Sequence, residues 1–508
     1  MSMKQIGVLV GETKPLSAVM VSKTGVSVGQ YLLVESRDAG YLALVQSVWR
    51  ANPFLQEELT DPEHALRIME LEKWDSYYRV QLAIVGQLGE SGITMPKRPP
   101  LPGAKVVQVD PEKLKGIIGA KDTRRWARFG TLLGSDVPVF VDVDQLVLRH
   151  LAVLAVTGGG KSNTIAVILQ AVKERRGTVV VLDPHGEYAS VAENPVNPVI
   201  NPLQLSPDEL GGFLGVDMKS SIQFYLMSKA RQRILDDLRA SNISPDQAQG
   251  LDQALRQDMD YFQELQDQLL AISEQGDDVL QGIKRDSLAG LFIRIENLRS
   301  NMSDLFNPGA RPLVEKIAEH KINAVDLSGL DQRAADTVAA HLLRHILQQR
   351  KNALAGRDSC LKAPVFIVVE EAHLFCPDAQ HTRTKHIASR IAREGRKFGV
   401  GLAVVSQRPK RLDPDVLSQM NNMVVLRIVE PGDQQHIARA SENLSGELVN
   451  YLASLNPGEA VCTGPAFKVP LLVKVDRAKA KLAGKDIAIT QEWARSHDIT
   501  PEEAEGLY

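Results

Sequence analysis

The segment that most constrains how this chain can fold is a glycine-rich stretch that joins an apolar run to a helix-like run. It covers residues 151–164 and has the sequence LAVLAVTGGGKSNT. In such a strand–loop–helix unit the backbone N–H groups of the loop surround phosphate oxygens, and the amino terminus of the helix adds a favourable dipole. The pattern predicts a phosphate-binding loop (P-loop) at the end of a buried strand.

The residue types in this loop indicate how it would hold ATP and Mg²⁺. Lys161 is placed to reach the β- and γ-phosphates, and the Ser162 hydroxyl is placed to bind the cation. Ala155 stands where the usual pattern has its first glycine. The alternative is an ordinary glycine-rich turn without a ligand. The residues predicted to contact the nucleotide are Thr157, Gly158, Gly159, Gly160, Lys161, Ser162 and Asn163.

Six apolar runs in the central part of the chain predict an α/β fold built on a parallel sheet. They are rich in β-branched residues and almost continuous, as in strands that are buried on both faces. Helix-like stretches separate most of them. The runs cover residues 151–156, 178–182, 322–327, 364–369, 401–406 and 423–428.

Residues 206–310 separate the second run from the third and are predicted to form a helical insertion. A stripe of apolar residues recurs there at helical spacing, which is more often packed core than a binding surface. The stripe consists of Leu251, Leu255, Phe262, Leu265 and Leu269.

The pattern along the chain predicts three parts. Residues 1–112 hold short apolar runs separated by turn residues, typical of a small β-barrel or sandwich. Residues 113–475 hold the six longer runs, and residues 476–508 form a polar tail. A proline-rich stretch at 95–103 cannot be a helix or a central strand, so it is predicted to lie at the last turn or the exit of the barrel.

Charge and cysteine content limit the classes of function. The formal net charge is −3, so contact with nucleic acid would need a local basic patch. Three cysteines without metal-binding spacing favour a reducing compartment. No apolar run approaches the ~20 residues of a membrane helix, and the amino terminus lacks a signal-peptide pattern. We therefore expect a cytoplasmic protein without a membrane partner.

Two adjacent acids follow the run at 364–369. Side chains in this position lie at the edge of an open α/β sheet where ligands bind. We predict that Glu370 holds Mg²⁺ through water and that Glu371 activates the attacking water. The alternative is a solvated strand end without a catalytic role.

Polar residues also end two of the other strands. Asp183 follows the run at 178–182, which in the usual strand order would lie beside the P-loop strand. There it could orient Mg²⁺-bound water or Lys161, or it could instead cap the following turn. Gln407 follows the run at 401–406 and is the candidate for sensing the γ-phosphate, the alternative being a polar strand end.

A basic segment lies around the fifth run. Residues 381–411 contain nine Lys or Arg and one acid. An arginine of this segment, with Arg396 as the candidate, could enter a neighbouring subunit's site and stabilise transition-state charge. Other cations could line a channel for a phosphate backbone, or the segment could be a solvated face. Arg149 precedes the P-loop strand, about 20 Å from the loop, and could face another subunit.

Several segments together resemble the HerA family of the FtsK–HerA superfamily. They are FGTLLGSDVPVFVDVDQLVLRHLAVLAVTGGGKSNT, LDPHGEY, VVEEAHLF, REGRKFGVGLAVVSQRP and the amino-terminal β-region. The double glutamate followed by Ala372 and His373 is typical of that family, and the resemblance spans nearly the whole chain.

This resemblance implies an amino-terminal HAS-barrel and a RecA-like ATPase in a homohexameric ring that translocates double-stranded DNA. It implies a NurA-type nuclease as partner, end resection with other double-strand-break processing proteins, and a carboxy-terminal tail that braces the neighbouring subunit. Arg396 and Arg149 would correspond to the arginines that act between subunits. A secretion or conjugation ATPase, or a nucleotide switch that recruits nucleases, remain alternatives.

Overall fold

The computed structural model describes most of the chain. The described residues are 4–52, 55, 61–71, 76–89, 92–120, 122–217, 221–240, 259–274, 285–441, 444 and 446–479. Leu251 and Leu255 of the predicted helical stripe lie outside the described residues, as do residues 480–508 of the predicted tail.

A seven-stranded antiparallel sheet forms the amino-terminal part. Its strands are β1 (Gln5–Lys14), β2 (Ser17–Ser22), β3 (Tyr31–Glu35), β4 (Gly40–Ala51), β5 (Tyr77–Gly89), β6 (Gly92–Thr94) and β7 (Lys105–Gln108). The strand order is β2-β1-β7-β3-β4-β5-β6, and β2 also pairs with β5, so six of the strands close into a barrel. Along β5, Val80, Leu82 and Ile84 are buried, which is the period of two that a barrel wall requires. The predicted barrel is confirmed.

The rest of the chain is built on an eleven-stranded sheet. Its strands are β8 (Trp126–Leu132), β9 (Pro138–Asp142), β10 (Leu151–Leu154), β11 (Thr178–Asp183), β12 (Asn194–Val196), β13 (Ile322–Asp326), β14 (Val365–Val369), β15 (Val400–Ser406), β16 (Asn422–Val425), β17 (Glu459–Thr463) and β18 (Leu471–Val475). The order is β12-β13-β11-β14-β15-β10-β16-β17-β18-β8-β9. All six predicted apolar runs are strands of this sheet.

The sheet is mixed. The six predicted strands lie in its parallel part, as expected, and four further strands extend the sheet at one side. The strands from β12 to β16 are parallel to one another. From β16 onward β17, β18, β8 and β9 pair in antiparallel fashion. The parallel strands are buried on both faces, whereas the antiparallel extension joins the first two strands of this sheet in the sequence, β8 and β9, to the last two, β17 and β18.

Helices flank the sheet and fill the region between β12 and β13. The helices are α1 (Pro62–Leu71), α2 (Pro111–Ile118), α3 (Val143–Leu148), α4 (Lys161–Lys173), α5 (Pro207–Leu214), α6 (Ser221–Ala240), α7 (Tyr261–Glu274), α8 (Arg285–Asn301), α9 (Gln332–Leu354), α10 (Ala372–Phe375), α11 (Arg383–Glu394), α12 (Pro414–Ser418), α13 (Pro431–Ala440) and α14 (Gly446–Tyr451). The helices α5 to α8 occupy the predicted insertion, where Phe262, Leu265 and Leu269 are buried in the main core.

The barrel is joined to the sheet through its β3 side. The Tyr31 hydroxyl donates a hydrogen bond to the Pro470 carbonyl, and Leu33 and Leu44 belong to the same apolar cluster as the large sheet. Among the described residues, no helix has the length and apolar character needed to cross a membrane.

Candidate nucleotide site

The P-loop connects β10 to α4 and has a conformation that depends on glycine. Gly158 and Gly160 have φ values of 75° and 102°, in the left-handed region that side chains disfavour. A Cβ on Gly160 would lie 2.9 Å from the Gly458 nitrogen. The Gly458 N–H donates to the Gly159 carbonyl at 3.0 Å, so the turn before β17 packs directly on the loop.

Lys161 lies between the two predicted catalytic acids. Its Nζ is 2.6 Å from Glu370 Oε1 and 2.5 Å from Glu371 Oε1, and all three side chains are buried. Burial lowers the pKa of Lys161, but the two carboxylates outweigh this effect and the pKa is raised. The structure therefore brings the P-loop lysine and both strand-end acids together at the carboxyl edge of the sheet.

The two glutamates differ in their electrostatic surroundings. Burial raises the pKa of Glu370 in spite of its contact with Lys161. Burial acts in the same direction on Glu371, but contacts with His373 and Lys161 outweigh it and lower the pKa of Glu371 to about 2. Glu371 also has φ 44°, a left-handed conformation that costs energy for a residue with a side chain. Such strain is typical of functional positions.

Gln407 connects the loop to Glu371. Its amide nitrogen donates to Glu371 Oε1 at 2.7 Å, and its amide oxygen accepts from the Thr157 hydroxyl at 2.5 Å. A conformational change of the P-loop can therefore be transmitted to Glu371 through the side chain of Gln407. This is the arrangement that a γ-phosphate sensor requires.

Asp183 does not take the position that the sequence predicted. Its strand β11 is separated from the P-loop strand by β14 and β15, so the prediction that the two are adjacent is wrong. The Asp183 carboxylate accepts from the backbone N–H groups of His185 and Tyr188 at 3.2 and 2.8 Å. The structure thus has the alternative arrangement, in which Asp183 caps the following turn.

That turn supplies a site residue that sequence reasoning missed. The Tyr188 hydroxyl donates to Glu370 Oε2 at 2.7 Å, and the ring is buried. Its only sequence clue is its place in the LDPHGEY segment. A second missed residue is His373, whose Nδ1 lies 3.2 Å from Glu371 Oε2.

The side chain of Asn163 is occupied elsewhere, so the predicted contact with the nucleotide would have to come from its backbone N–H. Its amide nitrogen donates to the Asp476 carbonyl at 2.8 Å, and its amide oxygen accepts from the Ala478 N–H at 2.9 Å. The side chain therefore ties α4 to the chain that follows β18. Ser162, at the first turn of α4, is partly exposed and lies beside Lys161.

The two candidate inter-subunit arginines lie at the opposite edge of the sheet from the P-loop. Arg396 is in a 3₁₀ turn, Gly395–Phe398, that precedes β15, and Arg149 precedes β10. Because β15 spans roughly 20 Å, neither reaches the P-loop of its own chain. Within the described part of the chain, no carboxylate oxygen lies within 4.0 Å of either guanidinium. Arg396 is exposed.

The chain is similar to known proteins along its whole length. Residues 127–346 match the family model described as "Helicase HerA, central domain". The chain is 35% identical over 498 residues to the "DNA double-strand break repair helicase HerA" of Sulfolobus acidocaldarius, covering 97% of each. It is 36% identical over 508 residues to the protein of the same description from Sulfurisphaera tokodaii, covering 99% of each.

A solved structure supports the fold alone. The chain matches VirB4 of Thermoanaerobacter pseudethanolicus with a TM-score of 0.51 at 16% identity, covering 69% of this chain and 96% of that one. The family follows from the full-length relatives, together with the P-loop and paired glutamates described above. This chain belongs to the HerA family of ATP-driven helicases.

Proposed function

We propose that this protein hydrolyses ATP to translocate along and open double-stranded DNA as a homohexameric ring. The observation that carries the proposal is the contact of Lys161 with Glu370 and Glu371 at the P-loop, bridged to Thr157 by Gln407. The full-length relatives are DNA double-strand break repair helicases, which supports DNA as the substrate.

Each side chain has a distinct part in hydrolysis. Lys161 binds the β- and γ-phosphates and stabilises the charge that develops on them. The low pKa of Glu371 keeps its carboxylate ionised, so that it accepts a proton from the attacking water. When phosphate draws Lys161 away, Glu371 loses an ion pair and becomes a stronger base. Gln407 transmits the loss of the γ-phosphate to the chain that follows β15.

The residues present fit a Mg²⁺ ion. Ser162 offers a hydroxyl and Glu370 a carboxylate, and hard oxygen ligands are what Mg²⁺ prefers. No group of three or more His, Cys, Asp and Glu side chains among the described residues could hold a metal ion, so the ion would depend on oxygens of the nucleotide. Bound there, Mg²⁺ would neutralise phosphate charge.

The ring is proposed because the two candidate arginines, Arg396 and Arg149, lie at the edge of the sheet opposite the P-loop of their own chain. Arg396, exposed at the far edge of the sheet, is positioned to serve a neighbouring subunit's nucleotide, and Arg149 is a second candidate. Residues 1–112, 113–475 and 476–508 would be the barrel, the motor and the bracing tail. A NurA-type nuclease and other break-processing proteins, acting with the ring in the cytoplasm, would use the translocated DNA in end resection.

The proposal is tested by the ATPase rate of the full chain with and without linear duplex DNA. We expect the rate to rise several-fold with DNA, and we expect a labelled duplex to be translocated only when ATP is present. A slow ATPase that is indifferent to duplex DNA would instead support a nucleotide switch. The same measurement with Lys161→Ala provides the background rate.

A further inference from the structure

A cleft of about 580 Å³ opens beside the candidate nucleotide site. One wall comes from the chain after β14, including His373 and residues 377–380, and the other comes from Lys410 and Arg411 after β15. The walls are fixed to each other, because the Asp378 N–H donates to the Arg411 carbonyl at 2.9 Å. The relative position of the two walls is therefore fixed by the backbone at this edge of the sheet.

The chemistry of the cleft suits a phosphate group. Lys410 and Arg411 are exposed on adjacent positions of a 3₁₀ turn, Pro409–Arg411. In the part of the chain that the structure describes, no carboxylate oxygen lies within 4.0 Å of the Arg411 guanidinium. Asp378 is the one acid among the lining residues, and Leu374 is the one large aliphatic side chain.

A chain of contacts leads from this turn to Glu371. The Arg408 N–H, directly before the turn, donates to Ser406 Oγ at 3.0 Å. Ser406 is fully buried, and its Oγ lies 3.2 Å from His373 Nδ1 in hydrogen-bonding geometry. The same Nδ1 lies 3.2 Å from Glu371 Oε2, yet among the described residues that buried oxygen has no hydrogen-bond partner.

His373 Nδ1 therefore lies at equal distance from two oxygen atoms, and it can donate to either of them in the tautomer that carries the proton on Nδ1. A small rotation of the imidazole would transfer its hydrogen bond from Ser406 to Glu371. A carboxylate that accepts such a bond is held in one orientation, and the orientation of a base towards the attacking water affects the rate. The position of the Pro409–Arg411 turn would thus set the reactivity of Glu371.

We propose that Lys410 and Arg411 on one wall of the cleft bind a phosphodiester of duplex DNA, and that His373 on the other wall is a positioning residue that conveys this binding to Glu371. The inference rests on the proposed function, since DNA is the phosphate-bearing polymer that function supplies. The inference also specifies which cations contact the DNA backbone and how this contact affects Glu371 in the active site.

The first experiment measures the affinity for a fluorescein-labelled 40-base-pair duplex without nucleotide, over a series of salt concentrations. The double variant Lys410→Ala/Arg411→Ala should bind about tenfold more weakly, and the slope of log K against log salt should fall by about 0.9 per lost phosphate contact. The matched control is Arg357→Ala/Lys362→Ala, which removes the same charge from exposed positions near the opposite edge of the sheet. The control should bind like the wild type.

The second experiment measures the ratio of DNA-stimulated to basal ATPase rate. His373→Ala should bring this ratio close to one while the Kd for the duplex changes by less than about twofold. His373→Asn keeps a donor near the position of Nδ1 and should restore part of the stimulation. Ser406→Ala breaks the same chain at its other end, and it serves if His373→Ala does not fold, as judged by its thermal midpoint.

The outcomes separate this inference from the proposed function. If the wild type neither binds duplex nor responds to it, the proposed function fails. If the wild type responds but the Lys410/Arg411 variant binds as tightly as its control, the cleft assignment is overturned. A raised KM for ATP with unchanged DNA affinity would mean that the cations serve a nucleotide phosphate instead. Wild-type stimulation in His373→Ala would overturn the relay.

Discussion

The roles of the two glutamates beside the P-loop can be tested with substitutions that remove the charge of a side chain and keep its size. Glu371→Gln keeps the size of the side chain but removes the proton acceptor, so we expect kcat to fall by roughly 10²- to 10⁴-fold with ATP affinity retained. Glu370→Gln should instead raise the Mg²⁺ concentration required for activity. Rapid-quench hydrolysis and nucleotide-binding titrations over a Mg²⁺ series would distinguish the two. The opposite pattern would exchange the roles that we assign to these residues.

A second test at the residue scale concerns pH and stability. The buried His150 accepts a hydrogen bond on Nδ1 from the Leu402 N–H at 3.0 Å and has φ 59°. Burial lowers the pKa of His150 from 6.5 to about 4. Between these two pKa values the unfolded chain binds a proton at His150 and the folded chain does not. Stability is therefore lost as the pH falls from about 6.5 towards 4.

We expect His150→Asn to reduce this loss, because asparagine tolerates a positive φ and accepts the same bond without titrating. Between pH 7 and pH 4.5 the unfolding free energy of the variant should fall by about 2 to 3 kcal/mol less than that of the wild type. Urea titrations at the two pH values measure the difference. His320 is exposed with φ 63°, so His320→Asn is the matched control and should keep the wild-type dependence.

At the scale of elements, the basic helix α11 depends on an acid from α9. The buried Asp336 carboxylate accepts hydrogen bonds from the N–H groups of Arg383 and Thr384 at 2.9 Å each. These N–H groups lie at the start of the helix and have no acceptor within it. Asp336→Ala should cost about 3 kcal/mol of stability, since two buried donors lose a charged acceptor. Thr382→Ala, which removes the ordinary cap, should cost about 1 kcal/mol. Equal urea midpoints for the two variants would contradict this.

Some strands of the large sheet could be predicted from the sequence, and others could not. The strands β10, β11, β13, β14, β15 and β16 were predictable because strands buried on both faces leave long apolar runs. The extension β17-β18-β8-β9 was not, because it depends on the pairing of β8 with β18, in which Leu132 lies opposite Val473 and no local pattern records the contact. Gln407 and the two glutamates follow strands and so could be found. Tyr188 contacts Glu370 only through the three-dimensional course of its turn, whereas His373 lies in the short helix α10 directly after Glu371 and has no pattern of its own that assigns it a role.

The prediction of strand order failed because order depends on contacts between distant segments. The basic segment forms helix α11, which ends at Glu394, and Arg396 lies in the 3₁₀ turn that follows. Asp183 was expected beside the P-loop strand, but strand order in a sheet is decided by tertiary packing. Local pattern fixes which segments are strands and leaves open which strands are neighbours.

At the scale of the whole molecule, the proposed ring makes a test by mixing possible. Arg396→Ala and Glu371→Gln should each abolish most hydrolysis, by about 10³-fold for a true arginine finger. In mixed rings, an interface that combines the mutant glutamate with the mutant arginine leaves another interface fully wild type. Mixtures should therefore regain ATPase activity that neither parent has. Mixed hexamers, verified by mass, that show no recovery would remove the support for action between subunits.

The antiparallel extension of the large sheet has a consequence for how the chain is made. All strands of the barrel lie between residues 5 and 108, so the barrel can close soon after it leaves the ribosome. The strand β8 emerges next, but Leu132 pairs with Val473 on β18. At about 5–20 residues per second, the intervening stretch takes on the order of 17 to 70 s to synthesise. For that time one side of β8 has an unpaired edge, which makes this segment the natural point for a chaperone to engage.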